Sequence, residues 1–141
     1  MAQGYRFPYS SINGNPATLM PRLPLTLQFR DRSVEVLGLV DSGASVNVIP
    51  YSVGIALGAS WEEQNIAVPL VGSIGHTESR VLIVEAFHPQ LTPERSVELI
   101  FAWARDDNAP ILFGQTNFLM EFRVCFDALR SIFEVFQIDH G

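Results

Sequence analysis

Over much of the chain apolar and polar side chains alternate with a period of two, the spacing that sends successive side chains to opposite faces of a strand. Leu25, Leu27 and Phe29 alternate with Thr26 and Gln28, which predicts a half-buried strand. Arg30-Asp-Arg-Ser33 is a polar turn, and Val34 to Val40 predicts a second strand that pairs with the first as a hairpin. The sharp turn Asp41-Ser-Gly-Ala-Ser45 follows, then Val46, Val48 and Ile49, with Pro50 as a break. Ser52 is placed to cap a short helix through about Leu57, stopped by Gly58. Ile66 to Leu70 is another apolar segment, Gly72-Ser-Ile-Gly75 has the character of a hairpin tip, and Arg80 to Phe87 predicts the returning strand. After a loop with two prolines, Val97 to Trp103 predicts a buried strand. Pro110 to Met120 begins apolar and then turns, predicting a second short helix from about Gln115. Phe122 to Phe126 and Ser131 to Phe136 predict a final hairpin around Asp127-Ala-Leu-Arg130. Residues 1–23 hold many turn formers, among them Ser10, Ser11, Asn13, Gly14, Asn15 and Pro16. They read as an irregular arm or extended edge segment ahead of a domain spanning 24–141.

Composition narrows this picture. The 141 residues are one domain's worth, and 48% hydrophobic against 17% charged residues is enough for a real core. Nine Pro and ten Gly fit an all-β domain with many turns. Net charge is −6, and all nine basic residues are scattered Arg with no basic stripe, which argues against nucleic-acid binding. With no Lys, a P-loop, a Schiff-base enzyme and a Ser-Lys dyad are excluded. The lone Cys125 sits in Phe122-Arg-Val-Cys-Phe126 and reads as a buried core thiol. His76, His88 and His140 show no metal-ligand spacing with one another or with Cys125, so they read as surface or loop residues, and no metal or cofactor is expected. No apolar run approaches membrane-spanning length and the first residues lack a secretory apolar core, so a soluble cytoplasmic protein is the expectation.

The candidate chemistry lies at Asp41-Ser42-Gly43-Ala44, directly after the apolar run Leu37-Gly-Leu-Val40. An Asp-[Ser/Thr]-Gly triplet arises by chance in roughly one chain in fifteen of this length; its placement between two apolar runs is what gives it weight. A strand delivers the carboxylate to a turn, Gly43 lets two backbones approach closely, and the Ser42 hydroxyl can bond across to a neighbouring turn. Two carboxylates about 3 Å apart cannot both ionise, so they share a proton: one is general base toward a water and the other polarises a carbonyl. Such a pair titrates as a unit. There is no second Asp-[Ser/Thr]-Gly in the chain, so a pair requires a second copy.

Residues 24–136 resemble the retropepsin-like aspartic peptidases, in particular single-domain bacterial forms. The resemblance is carried by Leu39-Val-Asp-Ser-Gly-Ala-Ser45 as catalytic loop, Gly72-Ser-Ile-Gly75 as flap tip, and Pro110-Ile-Leu-Phe-Gly-Gln-Thr-Asn-Phe-Leu119 as the segment that braces the loop. Phe122-Arg-Val-Cys-Phe-Asp127 is similar to the hairpin that follows in bacterial members. The resemblance implies an all-β, single-lobe acid protease barrel with one or two short helices, active as a C2 homodimer on protein or peptide substrates. It also implies roles: Asp41 the catalytic carboxylate, Ser42 an inter-subunit hydroxyl clasp, Gly43 a contact to substrate backbone. Ala44, Ser45, Gly72, Ser73, Ile74 and Gly75 are placed against substrate. Ala44 stands where pepsin-like enzymes carry a hydroxyl, which implies a less acidic pH optimum. Ser45 matches a position that is usually Asp in viral enzymes, and Gln115 stands where they mostly carry Arg.

Plainer readings stay open beside this one. Asp41 can be an ordinary turn residue of a monomeric structural domain. The fold can also serve as a non-catalytic module for dimerisation or peptide binding. Trp61 and Trp103 read as core or groove wall, and Phe113, Phe118, Phe122, Phe126, Phe133 and Phe136 as alternating core positions. No Gly-x-Ser-x-Gly elbow is present, so a serine hydrolase has little support.

Overall fold

The computed structural model describes residues 3–68 and 77–140. The expected central hairpin is β4 (Arg22–Phe29) and β5 (Arg32–Val40), in register from Arg22↔Leu39 to Phe29↔Arg32. Its period-two pattern works as predicted: Leu23, Leu25 and Leu27 are buried on one strand and Val36 and Val40 on the other. Arg30 occupies the tight turn with φ of 56°.

Four further strands are β6 (Asn47–Ile49), β7 (Ser79–Phe87), β8 (Val97–Ala104) and β9 (Leu112–Phe113). With the hairpin they close into a six-stranded barrel in the order β4-β5-β9-β6-β8-β7. Two of its pairings are parallel, β5 with β9 and β6 with β8. Because β9 lies between β5 and β6, the loop that joins those two strands has to cross the end of β9. That loop is residues 41–46.

Beside the barrel, β1 (Gly4–Pro8), β11 (Ile132–Gln137) and β10 (Phe122–Asp127) form a three-stranded sheet. The hairpin β2 (Ser10–Ile12) and β3 (Asn15–Met20) stands apart, turning at Asn13 and Gly14 with φ of 52° and 72°. The segment read as an irregular arm or extended edge is therefore largely strand, with β1 at the edge of its sheet. Tyr5 and Phe7 alternate with Arg6, but their partner is β11, too far along the sequence for a local reading to find.

One core runs through barrel and terminal sheet. The rings of Phe113, Phe118 and Phe122 stack in series at 5.0 and 4.9 Å, and Phe7 lies on Phe133 at 5.5 Å. At the other end Tyr51, Trp61 and Trp103 pack together, with the Arg80 and Arg105 guanidiniums 4.5 and 5.1 Å from the Trp61 ring. Helix α1 (Tyr51–Ala56) follows Pro50 and ends at Gly58, whose φ of 80° lets the amides of Gly58 and Ala59 reach the carbonyls of Ile55 and Gly54. Ser52 does not cap this helix: the N-cap is Pro50, and the Ser52 amide instead donates to Asp107 Oδ1 at 2.9 Å. Helix α2 (Phe118–Glu121) starts three residues later than expected, because Gln115 and Thr116 are held in extended pairing with residues 44–46.

Two expectations about burial are corrected. Cys125 is exposed, since it points to the outer face of β10 while Phe122 and Val124 take the core face. Phe126 is 45% exposed near the tip of the same hairpin, and Phe136 is only partly buried. Among the described residues no helix is long and apolar enough to cross a membrane, and no group of three His, Cys, Asp or Glu side chains converges.

Candidate active site

Strand β5 delivers Asp41 to the end of the barrel, where its amide donates to the Phe113 carbonyl at 3.0 Å. The turn is closed by the Ala44 amide donating to the Asp41 carbonyl at 3.1 Å, and by the Gly43 amide donating to Asp41 Oδ1 at 2.8 Å. Asp41 is half-buried, and Ser42 and Gly43 are exposed beside it. Among the described residues Asp41 Oδ2 and the Ser42 hydroxyl make no hydrogen bond. The carboxylate thus has one oxygen fixed by backbone.

The segment after β9 straps the loop down. The amides of Gln115 and Thr116 donate to the carbonyls of Ala44 and Ser45, both at 2.9 Å, and the Asn47 amide donates to the Thr116 carbonyl at 3.2 Å. Gln115 Nε2 donates to the Ser42 carbonyl at 2.8 Å, so a neutral amide braces the loop at the position where the resemblance put a charged one. Gly114 lies at the crossing itself, where a Cβ would stand 2.6 Å from the carbonyl oxygens of both Ala44 and Val46. Only a residue without a side chain lets the two backbones come this close.

Around the loop, Val48, Ala102, Ala104 and Ala109 form a second buried apolar cluster, with Val46, Val68 and Leu112 packed against it and partly exposed. Val68 belongs to a leg that runs antiparallel to the start of β7. The Val68 amide donates to the Ser79 carbonyl at 3.0 Å, Ala67 bridges Arg80, and the Val81 amide donates to the Ile66 carbonyl at 2.9 Å. Residues 66–68 and 79–81 are therefore paired legs. The expected tip between them, Gly72, Ser73, Ile74 and Gly75, lies outside the described residues, as does His76.

The site contains two residues that the sequence reading passed over. Asn47 is fully buried, its Oδ1 accepting from the Gly114 amide at 2.8 Å and its Nδ2 donating to the Ile100 carbonyl at 3.0 Å. It also donates to Asn117 Oδ1 at 3.1 Å. The available signal was a single amide inside the apolar run Val46-Asn-Val-Ile49, a polar group that burial tolerates only with partners. Of the histidines, His140 Nε2 lies 3.1 Å from Glu121 Oε2. His88 is partly buried against Phe7, and burial holds its pKa below the ordinary value.

Neither a family model nor a curated protein sequence matches the chain. The backbone does find a counterpart among solved structures. It superposes on the crystal structure of a retropepsin-like aspartic protease from Rickettsia conorii with a TM-score of 0.65, covering 97% of this chain and 94% of that one at 11% sequence identity. Identity this low speaks for the fold alone, but it speaks over nearly the whole length of both chains. The mostly β barrel with two short helices, its aspartate loop crossing the strap at Gly114, is a single-lobe retropepsin-like fold.

Proposed function

We propose that the chain is an aspartic endopeptidase whose active site is completed by a second copy of itself. The observation that carries this reading is the strapped loop. Asp41 sits at a strand end with one carboxylate oxygen held by the Gly43 amide, on a turn fixed from behind by Gly114, Gln115 and Thr116. An ordinary turn aspartate needs no such bracing. One chain supplies one Asp41, so a pair of carboxylates requires a twofold axis beside the exposed Ser42 and Gly43.

In the proposed reaction two Asp41 carboxyl groups share one proton and hold a water between them. The ionised carboxylate takes a proton from the water as its oxygen attacks the peptide carbonyl carbon, and the protonated carboxyl donates to the carbonyl oxygen. Collapse of the tetrahedral species transfers a proton to the leaving nitrogen and breaks the C–N bond. The peptide would lie as an added strand, with Val46, Val68 and Leu112 offering apolar contact to its side chains. The legs at 66–68 and 79–81 would carry a cover over it, with Gly72 to Gly75 at the tip.

Asp41→Asn tests the reading. The variant is expected to keep the melting temperature within a few degrees while cleavage of a peptide library falls by at least about a thousandfold, since the general base is removed. Specific activity of the wild type is expected to fall on dilution, in step with dissociation followed by sedimentation. Undiminished cleavage by Asp41→Asn, or a wild type that binds peptides and never cuts them, would overturn it, the second in favour of a non-catalytic binding module.

A further inference from the structure

We infer that Asn47 and Asn117 are positioning residues, an amide clasp that sets the orientation of the Asp41 loop; the inference rests on the endopeptidase reading above. Asn47 uses its whole side-chain amide: Oδ1 accepts from the Gly114 amide, and Nδ2 donates to the Ile100 carbonyl and to Asn117 Oδ1. Asn117, just ahead of α2, accepts a second time on that Oδ1, from the Ile100 amide at 3.0 Å, and its Nδ2 donates to the Glu98 carbonyl at 2.9 Å. The two side chains join three backbone segments, β8, the start of β6 and the strap at Gly114.

The arrangement admits one orientation. Turning over the Asn47 amide would set its NH2 against the Gly114 N–H and its oxygen against the Ile100 carbonyl. The same operation on Asn117 would set its NH2 against the amide of Ile100 and the NH2 of Asn47, and its oxygen against the Glu98 carbonyl. A leucine could fill either space, but it would fix no direction. A buried amide such as that of Asn47 is costly unless fully paired, and the two asparagines pair with one another and with backbone.

What they orient is the strap, and the strap orients the loop. The Gly114 amide is held by Asn47, the next two amides hold Ala44 and Ser45, and the residue before Gly114 holds the Asp41 amide. Every backbone bond from the strap to the loop lies within three residues of that one anchor. Two carboxylates that must share a proton tolerate little misplacement, and an error of about 1 Å in catalytic geometry costs about a hundredfold in rate. Neither asparagine faces the substrate side: Asn47 is fully buried and Asn117 is turned to β8. The clasp therefore acts on turnover and leaves binding alone.

The test compares Asn117→Leu, which removes the Asn117 half of the clasp, with Asn117→Asp, which keeps an acceptor for Asn47 and Ile100. Asn117→Leu is expected to remain folded and dimeric, with kcat down at least tenfold and KM within twofold. Amide exchange at Gly114, Gln115 and Thr116 is expected to be at least tenfold faster, with the β4–β5 ladder unchanged. Asn117→Asp, with a carboxylate oxygen set against the Glu98 carbonyl, is expected to recover only part of the loss, with kcat at least threefold above that of Asn117→Leu. If Asn117→Leu does not fold, Asn47→Ser carries the same expectations. Unchanged kcat, a loss only in proportion to unfolded protein, or no recovery in Asn117→Asp would overturn the clasp. A wild type without Asp41-dependent cleavage would sink the endopeptidase reading instead, and the exchange pattern would still decide whether the clasp holds the loop.

Discussion

At Gly114 the absence of a side chain is itself the structural element. A methyl group there meets backbone oxygens on two sides, and neither can rotate away as a flexible side chain would. Gly114→Ala is expected to destabilise the fold by about 1–3 kcal/mol and to lower cleavage by more than the unfolded fraction explains, because the strap moves off the loop; denaturant titration beside a peptide assay separates the two effects. At Cys125 the expectation is reactivity. The thiol is exposed on the outer face of an edge strand, so one equivalent of a maleimide is expected to label the native protein without denaturant, and protection until unfolding would contradict the strand's facing. The sequence shows these residues unequally. Asp41 announces itself because it sits in a short pattern with a physical reason for its order, whereas Gly114 is reached only through the resemblance of the segment around it. Asn47 does not, since a lone amide in an apolar run has no meaning until its three partners, Gly114, Ile100 and Asn117, are known. Cys125 was misread because hydrophobic neighbours say nothing about which face of a strand a residue takes.

Elements formed by neighbours in sequence were the legible ones. The hairpins β4–β5 and β10–β11 follow from alternation and a turn, and both are found. The parallel pairs β5–β9 and β6–β8, and the docking of β1 on β11, depend on chain segments that meet only when the barrel closes. Helix α2 begins late for the same reason, as pairing with the aspartate loop outcompetes helix at Gln115 and Thr116. The loop after β7 carries a pH-dependent element. His88 Nδ1 accepts from the Gln90 amide at 3.1 Å and the ring meets Phe7 edge-on at 5.3 Å, an environment that burial makes unfavourable for the imidazolium. The folded pKa lies below the unfolded one, so at neutral pH both states are neutral at this group and its contribution is intact. As pH falls below about 6.5 the unfolded chain takes up the proton first, and stability is lost toward the folded pKa. Thermal melts from pH 7.5 to 5 are expected to show a smaller acid-side loss in His88→Asn than in the wild type; equal slopes would exclude this group as a source.

For the whole molecule, the barrel and the terminal sheet share one core, and Phe7 is the side chain that joins the N-terminal strand to it. Its ring lies between Phe133 and His88, drawing β1, β11 and the loop after β7 together. Phe7→Ala is expected to cost about 3 kcal/mol, readable as a shift of the urea midpoint with an unchanged slope. A negligible shift would mean that β1 adds nothing to the cooperative unit.

The pairing of β1 with β11 also has a consequence for biosynthesis. Strand β1 is matched to β11, far along the sequence, with Phe7 opposite Phe133. Until β11 has been synthesised, the emerging polypeptide carries an uncovered phenylalanine and a strand edge with no mate, the combination that invites aggregation and holdase chaperones. Long-range closure of this kind slows folding, so the nascent chain is expected to become protease-resistant only once β11 has cleared the ribosome, and resistance gained earlier would contradict it.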